Sequence, residues 1–119
     1  MKILIVEDEV GIANFLQQGL EEEGYTVLVA NDGKTGLELA LSQKVNIILL
    51  DWILPKMTGI EVCKSIRKTD TTTPIIFLTA KDTVQETIEG LKAGANDYIK
   101  KPFSFDELVE RIKIHFRNQ

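Results

Sequence analysis

Residues 45–59 read VNIILLDWILPKMTG, and this stretch decides the fold. Five of the six residues from Val45 to Leu50 are aliphatic, and the run stops at a carboxylate, Asp51. A near-continuous aliphatic run is the pattern of a strand buried on both faces, as at the centre of a parallel sheet. Open α/β folds bind their ligands outside the carboxyl ends of such strands, which is where Asp51 falls. Pro55 and Gly59 then break the chain before the next periodic segment.

On both sides of this stretch the same alternation repeats. Residues 2–6, KILIV, form an aliphatic run that ends at Glu7 and Asp8. Ile12, Phe15, Leu16 and Leu20 recur at helical spacing up to Gly24. Residues 26–30, TVLVA, give a second strand closed by the turn signal Asn31-Asp32-Gly33, and Leu37, Leu39, Ala40 and Leu41 mark a short helix. Beyond the opening stretch, Ile60, Cys63 and Ile66 line one face of a third helix, so Cys63 is expected in the core. PIIFLTA, from Pro74, is a fourth strand ending at Thr79 and Ala80. Val84, Ile88 and Leu91 make residues 82–92 helical, although Thr83, Thr87 and Gly90 weaken the propensity. A fifth strand from Asp97 to Lys100 runs into Lys101-Pro102-Phe103. Ser104 with Glu107 three residues on forms a capping-box pattern, and Leu108, Val109, Ile112 and Phe116 supply the last apolar face. Five strands alternating with five helices predict a parallel sheet covered by helices on both sides.

Composition bounds the function. The 119 residues fit one domain spanning 1–119, with 44% hydrophobic and 27% charged residues, an ordinary globular balance. A net charge of −4 argues against direct nucleic-acid binding by this domain, and no apolar run approaches a membrane span. The start, MKILIVEDE, places acids where a secretory signal would continue its apolar core. A single cysteine excludes an internal disulfide and fits a cytoplasmic protein. The one histidine, His115, lies near the end of the chain and is expected to be solvated and non-catalytic.

Aligning the carboxyl ends of the strands gathers Glu7 and Asp8 after the first, Asp51 after the third, Thr79 after the fourth and Lys101 after the fifth. Three carboxylates in one crevice repel one another unless a cation intervenes. A hard divalent ion with oxygen ligands, Mg2+, meets that need. Acids, a metal, a lysine and a hydroxyl together can handle a phosphoryl group, with a carboxylate as nucleophile. Each residue also has a plain reading when taken singly. An acid after a strand can cap a helix, Glu7 and Asp8 can complement a helix start, Lys101 can be a surface lysine, and Tyr98 can be packing. Their joint occurrence at successive strand ends favours the chemistry.

The motifs EDE (7–9), LLDWILPKMTG (49–59), LTA (78–80) and DYIKKPF (97–103) resemble those of response regulator receiver domains of two-component systems, over the full length of the chain. The resemblance implies a flavodoxin-like (βα)5 fold with strand order 2-1-3-4-5. It implies that Asp51 is the aspartate phosphorylated by a sensor histidine kinase. Asp8 and Asp51 would ligate Mg2+ with the backbone carbonyl of Ile53, and Glu7 would act through water. Thr79 and Lys101 would stabilise the phosphoryl group, and Lys101, not Lys100, directly precedes the proline as in the family. The Lys101-Pro102 bond is expected to be cis. Thr79 and Tyr98 would be the switch residues, and self-phosphorylation and self-dephosphorylation would be the only reactions of the domain.

Rival functions are weaker. A phosphohydrolase with an aspartyl-phosphate intermediate needs an acid two residues after the nucleophile, and Ile53 stands there. No GxGxxG or GxxxxGK[ST] follows the first strand, so nucleotide or flavin binding has no cradle. A pseudo-receiver that is only an interaction module would require loss of an acid or the lysine, and all are present; a stand-alone receiver acting by protein–protein interaction is the remaining alternative. Within the family the sequence is most similar to OmpR/PhoB-type transcription regulators, which implies an output domain in the full-length protein. That class dimerises through its fourth helix, fifth strand and fifth helix, where Ile88, Leu91, Asp97 and Arg111 match. Glu110, Thr87 and Asn96 depart from the usual residues of that face.

Overall fold

Every aliphatic run becomes a strand and every apolar-periodic segment a helix. A computed structural model describes residues 1–117. Its elements are β1 (Lys2–Val6), α1 (Val10–Glu22), β2 (Thr26–Ala30), α2 (Gly33–Ser42), β3 (Ile47–Leu50), α3 (Gly59–Arg67), β4 (Ile75–Thr79), α4 (Val84–Lys92), β5 (Asp97–Lys100) and α5 (Phe105–Arg117). The five strands are parallel, in the order β2-β1-β3-β4-β5. This is the flavodoxin-like order, and helices cover both faces of the sheet.

Alternation along the strands splits the core in two. Ile47 and Leu49 of β3 face the layer containing Leu16, Leu20, Leu108 and Ile112, from α1 and α5. Ile48 and Leu50 face Val62, Cys63 and Ile66 of α3, with Ala30 and Phe77. Because both faces of β3 are covered, its aliphatic run has no polar positions to spare. Cys63 is buried, as its spacing with Ile60 and Ile66 predicts.

Register decides which side chains meet past the strand ends. Val6 of β1 pairs with Leu50 of β3, so Glu7 and Asp51 emerge side by side. Leu50 pairs with Phe77 of β4, and Thr79 pairs with Lys100 of β5, which brings Lys101 to the same edge.

Element boundaries differ from the sequence reading where side chains intervene. β3 begins at Ile47 because Asn46 ties off its start: the Lys2 amide donates to Asn46 Oδ1 at 2.7 Å, and the Asn46 amide donates to the Lys2 carbonyl at 2.8 Å. Asp32 reads as a turn residue but is the N-cap of α2, its side chain accepting from the Thr35 amide at 2.7 Å. Ser104 Oγ accepts from the Glu107 amide at 3.2 Å, while the Glu107 carboxylate accepts from Arg111 Nε at 3.0 Å. Full capping boxes occur instead at α3 (Thr58, Glu61) and α4 (Thr83, Glu86). His115 is not solvated as expected: its side chain is mostly buried, with Nε2 3.2 Å from Asp97 Oδ2, because the last turns of α5 lie over the start of β5. Among the described residues no helix is long and apolar enough to cross a membrane.

Candidate functional site

The sheet edge built by these registers collects five side chains. Asp51, the first residue past β3, is only 5% exposed, and its amide donates to the Val6 carbonyl at 3.0 Å. Glu7 is buried beside it, and Asp8 is half-buried. One carboxylate oxygen from each of Glu7, Asp8 and Asp51 lies within 4.8 Å of the others. The Lys101 ammonium sits among them, 2.6 Å from Glu7 Oε1 and 2.9 Å from Asp51 Oδ2, with its side chain 11% exposed. Thr79, at the end of β4, is fully buried. Lys100, the competing lysine, is exposed. The Lys101-Pro102 peptide bond is cis.

Burial and pairing oppose each other in this cluster. Desolvation pushes the Glu7 carboxyl up, offset in part by hydrogen bonds from Lys101 and the Glu9 amide, and the Asp51 charge adds to the rise. For Lys101, desolvation favours the neutral amine, but hydrogen bonds and charge from Glu7 and Asp51 outweigh it and raise its proton affinity. The ammonium thus contacts two of the three acids but offsets only one negative charge, so the set still holds more negative than positive groups. Clustered carboxylate oxygens with one carboxylate at intermediate burial are a donor set suited to a hard divalent cation such as Mg2+. Ile53 is exposed, and its amide donates to Asp51 Oδ1 at 3.2 Å. That contact turns the chain directly after Asp51 and fixes the carboxylate's orientation.

Tyr98 and Thr79 meet through Lys81, a residue that no sequence pattern singles out. The Lys81 amide donates to Thr79 Oγ1 at 3.3 Å, and the Tyr98 hydroxyl donates to the Lys81 carbonyl at 2.7 Å. Both contacts use Lys81 backbone atoms, so its side-chain type carries no mark of the role. The Tyr98 ring packs on Phe77 at 5.7 Å, and Trp52 packs on Phe77 at 5.8 Å. Burial, with the charges of Glu86 and Asp51 next, pushes the Tyr98 phenol up to about 12, so it stays a hydrogen-bond donor at neutral pH. An aromatic row therefore connects the residue after Asp51 to Tyr98.

The residues matched to a dimer face lie elsewhere, on α4, β5 and α5. Ile88 and Leu91 are 40% and 45% exposed. Asp97 and Arg111 pair within the chain at 3.2 Å. Asn96 serves the fold: its Oδ1 accepts from the Ile75 amide and from Arg67 Nη2, both at 2.9 Å.

Comparison with known proteins agrees with this architecture. The chain is 50% identical over 118 residues to the response regulator ArlR of Staphylococcus saprophyticus, covering 99% of this chain and 53% of that protein. It is 47% identical over 117 residues to the transcriptional regulatory protein DltR of Streptococcus agalactiae, covering 98% of this chain and 52% of that one. The chain thus spans about half the length of the curated relatives it matches. The structure of the receiver domain of a Francisella response regulator superposes with a TM-score of 0.94 at 41% identity, covering 98% of this chain and 97% of that one. Residues 3–113 match the response regulator receiver domain family, and the chain belongs to it.

Proposed function

We propose that the chain is a phosphorylation-activated switch in which Asp51 accepts a phosphoryl group from a sensor histidine kinase. An Asp51 carboxylate oxygen bonds to phosphorus as the P–N bond to the kinase histidine breaks, its electron pair returning to the imidazole. The observation that supports this best is a buried Asp51 with the Lys101 ammonium 2.9 Å from Oδ2 and two further acids beside it. Asp8, Asp51 and the Ile53 carbonyl would hold Mg2+, with Glu7 acting through water. The bound cation supplies positive charge against the phosphoryl oxygens and the neighbouring carboxylates. Lys101 then turns from bridging two acids to pairing with the phosphoryl group, and the Thr79 hydroxyl donates to it.

Phosphorylation adds roughly −1.5 to −2 charge at Asp51. A Thr79 drawn toward that charge pulls on the Lys81 amide, and Lys81 carries the Tyr98 contact, so the β4–α4 connection and the α4-β5-α5 surface respond together. Ile88 and Leu91 on that surface supply apolar area for a homodimer, with Asp97 and Arg111 available to exchange their pairing across it. The matched relatives carry names of response and transcriptional regulators and are about twice as long. The output is therefore assigned to transcription, through a domain beyond this one, in the cytoplasm. Turnover as a phosphohydrolase is disfavoured by the apolar, exposed Ile53 in the position of a proton donor.

Acetyl phosphate with Mg2+ should add the mass of one phosphoryl group to the wild-type chain and none to Asp51→Asn. It should also change the fluorescence of Trp52, the sole tryptophan of the sequence, in the wild type alone. Modification of Asp51→Asn to the same extent would place the phosphoryl group elsewhere and end this reading.

A further inference from the structure

The loop that follows Asp51 is held from a second element, α2, by a residue with no side chain. The Met57 amide donates to the Pro55 carbonyl at 2.8 Å, and Lys56 between them has a φ of 70°. This is a γ-turn of the rare, strained kind, in a conformation that a lysine adopts only when neighbours impose it. The neighbour is Gly33, the first residue of α2. Its amide donates to the same Pro55 carbonyl at 3.1 Å. A Cβ at Gly33 would collide with the Met57 carbonyl oxygen and lie 2.7 Å from its carbonyl carbon, so backbone would have to move. Beside it, the Asp32 cap reaches Lys56 Nζ at 3.7 Å. At the far end of the loop, the Gly59 amide donates to the Trp52 carbonyl at 2.9 Å, and a Cβ there would meet the Asp51 carbonyl and the Trp52 α-carbon.

Two partners could yield to a side chain at Gly33, and the structure distinguishes them. α2 is seated on β1, where a Cβ at Gly36 would already lie 2.6 Å from a Val6 methyl. Pro55 and Lys56 are exposed, and Lys56 is already strained. The loop gives way before the helix does. Its other end is fixed at Gly59, so the shift is passed to Ile53 and Leu54.

We propose that Gly33 is a positioning residue for the Asp51–Ile53 segment: α2 is the wall against which the phosphoacceptor loop is shaped. The proposal rests on the reading of Asp51 as phosphoacceptor and extends it to an element that contributes no side chain to the cluster.

The test compares Gly33→Ala with Gly36→Ala, one turn further along the same helix. Mg2+ titrations are followed by Trp52 fluorescence, phosphorylation from acetyl phosphate by mass, and stability by thermal melting. Gly33→Ala should weaken Mg2+ binding about tenfold, the lower end of what outer-shell changes cost a metal site. Gly36→Ala should melt earlier yet bind Mg2+ within about twofold of wild type, since its neighbour is a Val6 methyl. Wild-type behaviour of Gly33→Ala, or equal weakening in both variants, overturns the role of Gly33 alone. A wild-type chain that neither binds Mg2+ nor takes up a phosphoryl group overturns the reading of Asp51 and the proposal with it. Should Gly33→Ala not fold, hydrogen exchange of the wild-type Gly33 amide decides. Slowing on Mg2+ addition supports the coupling by reciprocity, and an unchanged rate overturns it.

Discussion

Helices α3 and α4 are both nine residues long, and each opens with a Thr-x-x-Glu capping box. In α3, Thr58 and Glu61 satisfy each other's ends, and in α4 Thr83 and Glu86 do the same. Beyond the caps they part. α3 buries Gly59, Ile60, Val62, Cys63 and Ile66, whereas Gly90 is the buried residue of α4. Two segments with equal local signals thus differ in how strongly the rest of the molecule holds them. Helix stability in proteins comes chiefly from a packed apolar face, so α3 is held firmly in the scaffold and α4 more weakly.

The largest expected effect tests that contrast directly. Ile66→Ala, at a position 1% exposed, should cost about 3–4 kcal/mol, whereas Leu91→Ala should cost about 1 kcal/mol or less. Denaturant midpoints at constant m-value measure both, and equal losses would erase the distinction.

A smaller effect concerns acid stability at the end of α3. Burial pushes the Asp70 carboxyl up, but hydrogen bonds from the hydroxyls and amides of Thr73 and Thr72 outweigh it and hold it down at about 2. A carboxyl lowered in the folded state contributes stability that is present above its unfolded value near 4 and lost as pH falls toward 2. Wild type should therefore lose more stability than Asp70→Asn across that window. Glu86 of α4, also lowered, by hydrogen bonds from Thr83 and contact with Lys81, is more open to water. Glu86→Gln should alter the acid limb less than Asp70→Asn does, as urea melts at pH 2 to 5 would show.

The smallest effect separates the two caps. Thr58→Ala and Thr83→Ala each remove about 1 kcal/mol of cap energy. At α3 the loss should appear in global unfolding, since that helix opens only with the core. At α4 it should appear as faster amide exchange of residues 84–88 with little change in the global midpoint. The same pattern at both helices would mean that α4 does not open on its own.

The sheet is legible in the sequence because burial on both faces leaves only apolar residues along the middle of a central strand. IILL in β3 and IIFL in β4 read as strands from their short length and β-branched content. β1, β2 and β5 coincide with their runs at both ends. The gathering of Glu7, Asp51 and Lys101 is legible too, since parallel register carries consecutive strand ends to one edge. What escapes is whatever depends on backbone atoms or on contacts distant in sequence. Asp32 looks like a turn residue until its side chain is seen to accept from Thr35. The Lys81 link between Thr79 and Tyr98 uses an amide and a carbonyl. His115 gives no sign of Asp97, eighteen residues earlier. The boxes at Thr58 and Thr83 are present in the letters, as Thr-x-x-Glu, but weak helix propensity further along masks them.

Arg67 has a mechanical consequence for α4. Its guanidinium donates to the Gly94 carbonyl at 2.9 Å, to the Asp70 and Thr73 carbonyls at 2.9 and 2.8 Å, and to Asn96 at 2.9 Å. All of these lie beyond the carboxyl end of α4 or in the α3–β4 connection, so Arg67 pins the carboxyl end of α4 to that connection. A nine-residue helix is about 13 Å long, and a rotation of about 20° around the pinned end carries its first turn roughly 4–5 Å. α4 is thus tied to the scaffold by Arg67 at its carboxyl end, while its amino end follows Lys81, which contacts Thr79 and Tyr98.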